Sequence, residues 1–297
     1  MNSHKGGICL LLAILSFVEV SLATDAPKLT LKFTTVQIKS ALDTRVYGVN
    51  NAGVMVGWYI DSGGVAHGMK LAGKKLTKLD DPSGSGTLCY AINSRNVVVG
   101  TYENSSNAYQ AFIYRNGTFS DIGPSGAVVS EANGINDKEI VAGDYQDSAG
   151  VTHGFVWNGN TYKTLDVPGA SYTLAYGINK KGLITVQWID SAGNTESSLY
   201  NGRHYKTIDV PGAAGSYAHG IDSSGDVVYS WTDSSGLDHG ALRTGGKYYK
   251  FDDPKGTNGT YADGINDHKL IVGTYHDNDG NTAEGFKATY CLARCGF

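Results

Sequence analysis

A chain of 297 residues with 41% hydrophobic and 18% charged side chains can bury a sizeable core, which excludes a disordered protein. A net charge of −4, with no run of lysine or arginine, excludes the basic footprint of a nucleic-acid binder. Forty glycines and nineteen tyrosines beside six prolines and three methionines point to aromatic strands joined by tight turns, an all-β protein.

Residues 1–23 read as a secretory signal. Lys5 precedes an apolar run from Ile8 to Val18, and Ser21-Leu22-Ala23 puts small residues where a signal peptidase cuts. The run is well short of the roughly 20 residues of a spanning helix, and Glu19 interrupts it. No later stretch is long and apolar enough to span a bilayer, so the mature chain, 24–297, is expected to be a soluble monomer of one domain, secreted or periplasmic, without membrane insertion. It keeps Cys89, which reads as a small buried apolar residue, and Cys291 and Cys295, which could pair within a tail at 288–297. No spacing of histidine and cysteine fits a metal site, and no cofactor motif is present.

Beyond this leader the sequence repeats. Aligned on Gly-Ile-Asn, it reads "YGVN", "YAIN", "NGIN", "YGIN", "HGID" and "DGIN", with the first small residue at Gly48, Ala91, Gly134, Gly177, Gly220 and Gly264. The steps are 43, 43, 43, 43 and 44 residues, with units starting near 45, 88, 131, 174, 217 and 261. Each unit predicts four short strands. In the third they are "EANGIN", "EIVAGDY", "THGFVW" and "YKTLDV", separated by turns rich in asparagine, aspartate and glycine. Four strands in about 43 residues is the size of a propeller blade. The sixth unit lacks its fourth strand, while "LKFTTVQIKSALDTRVYGVN" sets Val36 twelve residues before Gly48, as Leu165 precedes Gly177. The N-terminal strand is therefore expected to complete the last blade of a six-bladed β-propeller. An open β-solenoid gives no reason for that match.

The pattern "GIN...VVG.Y.D..G..HGF" resembles the extracellular repeats named for a His-Ala-Phe motif, over Thr34 to Phe286. The core stands here as "HGM", "QAF", "HGF", "SSL", "HGA" and "EGF", the fourth copy departing most. The resemblance implies a secreted bacterial repeat protein and carries no reaction with it.

Because Asp147 and His153 recur as Asp61 with His67 and Asp233 with His239, they read as blade scaffold. "HDNDGNTAE", His276 to Glu284, alternates oxygen ligands but lacks the glycine and bidentate glutamate of an EF-hand loop, so a turn explains it. The sequons at Asn104, Asn116 and Asn258 matter only in a glycosylating host. Function is expected where copies differ at equivalent positions around one mouth. The residue before the motif glycine runs Tyr47, Tyr90, Asn133, Tyr176, His219, Asp263. On the second strand, Trp58, Thr101, Asp144, Trp188, Trp231 and Thr274 are taken as one position. Trp58, Trp188 and Trp231, with Tyr47, Tyr90 and Tyr176, are the expected platform for a glycan or other neutral, hydroxyl-rich ligand, with inter-blade packing the competing role for the tryptophans. The alternative is a glycan-acting hydrolase or lyase using Glu131, Asp144, His219 and Asp263, and a second alternative is a matrix or partner-protein scaffold.

Overall fold

A computed structural model describes residues 28–277 and 282–292. The leader pattern at 1–23, Cys295 and the centre of "HDNDGNTAE" lie outside them. Within the described residues, twenty-four strands form six four-stranded antiparallel sheets arranged around one axis. Five blades are simple meanders from inner to outer strand: β2–β5 (Asp43–Val49, Met55–Ile60, Ala66–Ala72, Lys75–Leu79), then β6–β9, β10–β13, β14–β17 and β18–β21 across residues 87–251. The sixth takes β22 (Thr260–Ile265), β23 (Leu270–His276) and β24 (Ala283–Leu292) from the C-terminus and its outer strand, β1 (Leu29–Val36), from the N-terminus. The pairing runs unbroken from Leu29↔Leu292 to Val36↔Gly285, and Phe33 packs its ring 5.4 Å from Phe286 and 6.1 Å from Phe251. A propeller closed by its own termini leaves no exposed seam for another chain to pair with. Among the described residues no helix is long and apolar enough to cross a membrane.

The core lies between blades. Alternate residues of each strand face one neighbour, so that Ala142 and Leu165 of the third blade meet Ala175 and Val186 of the fourth in one buried cluster. Cys89 is free and fully buried in the cluster it shares with Val56 and Phe112.

The Gly-Ile-Asn motif is explained by what each residue meets. Blades crowd together at the axis, where a Cβ on Gly134 would lie 2.2 Å from the carbonyl oxygen of Tyr176 and one on Gly264 2.6 Å from that of Tyr47. Next comes a collar of Val49, Ile92, Ile135, Ile178, Ile221 and Ile265 around the axis. The asparagine then holds two turns at once. Asn136 Oδ1 accepts from the backbone N–H of Lys138 and Ile140 in its own turn, at 2.9 and 3.1 Å, while its Nδ2 donates 3.2 Å to the carbonyl oxygen of Asn179 in the next blade. Asn50, Asn93, Asn179 and Asn266 repeat the inter-blade bond at 2.9–3.2 Å, Asn266 reaching Asn50 across the closure. The chain of bonds has one gap. Asp222 caps its own turn through Oδ1 but carries no N–H to donate to Asn266.

Candidate functional site

On every inner strand the pairing register slips beside the motif glycine. In the third blade Ala132 pairs with Gly143 and Gly134 with Ala142, which leaves Asn133 between them as the extra residue of a β-bulge. A bulge frees a side chain from the sheet's alternation and re-aims it. Tyr47, Tyr90, Tyr176, His219 and Asp263 fall in the same break, so six half-buried side chains converge on the axis. They line a cavity of about 660 Å³ at the end of the channel opposite the asparagine turns, closed below by the valine and isoleucine collar.

The cavity is aromatic on one side. Tyr47 and Tyr90 meet edge to face at 5.3 Å. Burial pushes the Tyr90 and Tyr176 hydroxyls well above the usual phenol range, and burial with the nearby Asp263 pushes Tyr47 to about 12, so all three stay protonated. The ionisable groups of the cavity are shifted toward their neutral forms by the same desolvation. His219, edge-on to Tyr176 at 5.1 Å, is lowered to about 4 and is therefore neutral imidazole at pH 7. Asp263 is raised to about 7 by burial, with Arg45 opposing the shift, and Glu131 is raised by burial. Arg45 lines the cavity and is paired with Asp43 at 3.1 Å.

Asp144 sits elsewhere than its neighbours. It pairs across the strand with Glu131, accepts 2.7 Å from Asn133 Nδ2, and does not line the cavity. Burial, then the charge of Glu131, lifts its carboxyl well above the usual range.

The tryptophans depart from the sequence expectation, and register is the reason. Trp58 pairs with Arg45, three residues before its motif glycine, whereas Trp188 pairs with Thr173 and Trp231 with Ser216, four residues before theirs. A one-residue offset on a strand points a side chain to the other face. The true counterparts of Trp58 are Gln187 and Ser230, and Trp188 and Trp231 correspond instead to Tyr59 and Tyr145. None of the three lines the cavity. Trp231 is buried, stacked 4.6 Å from His239, and donates 3.2 Å to the carbonyl oxygen of Gly240. Trp188 packs on the cluster between the third and fourth blades and donates to Ser198 Oγ at 3.2 Å. Trp58 lies under the Arg45 guanidinium, 4.9 Å from its ring centre.

The repeated histidines are scaffold, with a partner that sequence reading missed. His153 Nδ1 lies 2.9 Å from Asp166 on the outer strand side, and its Nε2 lies 3.5 Å from Asp147 in the turn. His67 bridges Asp61 and Asp80, and His239 bridges Asp233 and Asp252, in the same way. An aspartate thirteen residues after each histidine was the available signal. In the fourth blade Glu196 replaces the histidine, and its hydrogen bond to Asp209, with burial, raises it to about 7.

No protein-family model matches the chain, and no curated protein matches it in sequence. Solved structures do match in shape. The SapL1 lectin in complex with α-methyl fucoside aligns with a TM-score of 0.55 at 12% identity, over 87% of this chain and 99% of that one. The fungal Aleuria aurantia lectin, described as a six-bladed β-propeller with a novel fucose recognition mode, aligns with a TM-score of 0.51 at 12% identity, over 86% of this chain and 93% of its own. TolB from Acinetobacter baumannii aligns with a TM-score of 0.54 at 11% identity, over 83% of this chain and 66% of its own. Identities this low establish the shared six-bladed propeller fold.

Proposed function

We propose that the protein is a carbohydrate-binding propeller, taking a glycan or another neutral, hydroxyl-rich ligand in the axial cavity. The observation that carries this is the convergence of six bulge residues, three of them tyrosines, on one cavity whose imidazole is neutral and whose carboxyl groups burial shifts toward the neutral form. Tyrosine faces suit the apolar face of a sugar ring, and uncharged donors and acceptors suit its hydroxyls. Two of the structures that share the fold are lectins, one of them bound to a fucoside, which supports the reading. Its test is a glycan array on residues 24–297, followed by calorimetry on the best binder. Tyr176→Ala is expected to weaken binding about tenfold or more, as removal of a central aromatic anchor does. An array without hits, or an unchanged affinity in this variant, refutes the proposal.

One observation favours a second reading, a glycan-acting hydrolase: Glu131 presents to the cavity a carboxyl whose pKa burial raises, the direction a general acid needs. Product release by the wild type that Glu131→Gln abolishes identifies the enzyme. Binding without turnover leaves the binding module. Export belongs to the same proposal, supported by the leader pattern at 1–23 and the resemblance to extracellular repeats. A mature N-terminus other than Thr24 in secreted material, determined by mass spectrometry, counts against the proposed cleavage.

A further inference from the structure

One position recurs on the second strand of every blade, opposite the third residue before the motif glycine: Trp58, Thr101, Asp144, Gln187, Ser230 and Thr274. In blades two to four its polar atoms are satisfied within the protein. Thr101 Oγ1 donates to the carbonyl oxygens of Gln110 and Ser130 at 3.1 and 3.3 Å, Asp144 accepts from Asn133, and Gln187 Nε2 donates to that of Ala218 at 3.5 Å. In blade one the buried Trp58 Nε1 has no such bond among the described residues but lies away from the cavity wall; blades five and six differ in placing unpartnered groups in it. Ser230 and Thr274 belong to the cavity wall, each is 3% exposed, and neither hydroxyl has a partner among the described residues. Burying a hydroxyl without a partner costs free energy, and such groups are uncommon in folded proteins. The bulges of these same two blades add His219 and Asp263, whose side chains make no hydrogen bond with another described residue; burial alone shifts the His219 ring. Blades five and six are neighbours, and the tyrosines stand on the first, second and fourth.

We infer that blades five and six form the edge of the cavity that reads hydroxyl groups, with Asp263 and His219 taking a vicinal diol of a neutral sugar and Ser230 and Thr274 hydrogen-bonding to the adjoining ring positions. This rests on the carbohydrate reading above and adds where the sugar's polar edge goes and which sugars are refused. Each hydroxyl of a diol both donates and accepts. A carboxyl group with two oxygens and a neutral imidazole, one nitrogen donating and the other accepting, match such a pair. The hydroxyls of Ser230 and Thr274 are rotors that turn to whichever partner arrives. An acidic sugar brings a carboxylate that a neutral imidazole and neighbouring carboxyl groups cannot pair, and Arg45 is already held by Asp43, so the cost of burying that charge refuses it.

The experiment is titration calorimetry with methyl pyranosides and methyl uronosides chosen from the array, each variant also being melted. Ser230→Ala and Thr274→Val are expected to lose about 3- to 10-fold in affinity for the neutral pyranoside, the range of one neutral hydrogen bond, without a lower melting temperature, because neither hydroxyl is bonded to another described residue. Asp263→Asn is expected to lose about tenfold or more. Thr101→Val, at the equivalent position with its bonds made, is expected to melt lower and to bind as the wild type does. Full affinity in Ser230→Ala and Asp263→Asn alongside loss in Tyr176→Ala overturns the assignment of the edge while the binding reading stands. Uronosides bound as tightly as neutral pyranosides overturn the neutral-diol specificity. A wild type that binds no glycan ends both.

Discussion

The two ends of the inner strands obey different constraints, although only a few residues separate them. At the turn end, asparagine stands in five blades and aspartate in one, because the side chain must cap its own turn and reach the next blade's carbonyl oxygen. At the cavity end, one residue before the motif glycine, tyrosine, asparagine, histidine and aspartate all occur. The bulge removes that residue from the pairing ladder, and from the fold's demands with it. Uniformity at one end marks what a ring needs, and variety at the other marks where a ring can be adapted to a ligand.

The harshest way to break this comparison is to open the ring, since both ends depend on closure. Deleting residues 24–40 removes β1 and, with it, the buried Val36 and the packing of Phe33 on Phe286. At about 1.5–3 kcal/mol for each large apolar side chain, the loss should reach several kcal/mol, with cooperative melting and cavity binding lost together. An unchanged melting curve refutes closure by the N-terminus.

A smaller effect is expected at the turn end alone. Asn136→Ala removes a bond between blades and two caps on its own turn, at a buried site, and should cost about 1–3 kcal/mol with glycan affinity unchanged. A stability loss of similar size from the cavity-end change Tyr90→Asn, which imitates the third blade, would erase the distinction between the ends.

The scaffold histidines sharpen it through pH. Burial lowers the pKa of His153, but hydrogen bonds and charge from Asp166 and Asp147 outweigh that, and the net shift is upward. A cation favoured by folding stabilises below the ordinary histidine pKa of about 6.5, and the contribution disappears as pH rises through the higher folded value. Replacing His153 with alanine should therefore lower the melting temperature more at pH 5 than at pH 8, without touching ligand affinity. A loss that grows with pH, or lost binding at intact stability, would contradict the scaffold role.

The smallest expected effect has the opposite sign. Asp222→Asn supplies the missing donor to Asn266 and removes a carboxylate that burial disfavours, so it should stabilise by about 0.5–1.5 kcal/mol at neutral pH. The folded pKa of Asp222 is raised, so the wild type recovers on acidification and the advantage of the variant should shrink toward pH 4. Thermal melts across that range decide it.

The fold was legible because its signals are periodic: a constant step between motif glycines, turns at fixed offsets, and a spare strand at one terminus for a missing one at the other. The bulge residues were legible as variable positions beside a fixed glycine. The bulge itself was not, since a register slip leaves no mark in composition. The tryptophans were misplaced because alignment followed residue type. Counting 43 from Asp144 arrives at Gln187 and again at Ser230, one short of each tryptophan, and on a strand that single step exchanges the cavity side for the packing side. The inter-blade role of asparagine escaped because Gly-Ile-Asn reads locally as a turn signal, while its second bond reaches a residue 43 positions away.

Pairing Leu29 with Leu292 also gives the chain a temporal order. During synthesis β1 emerges before its partner β24, so a strand with one apolar face, formed by Leu29, Leu31 and Phe33, and with free backbone edges waits through the making of five blades. Such an edge can be captured by a neighbouring chain at the same stage. Ribosomal stalling or premature termination before Ala283 should therefore yield products that associate through β1, so that only the making of the last strand withdraws the first from neighbouring chains.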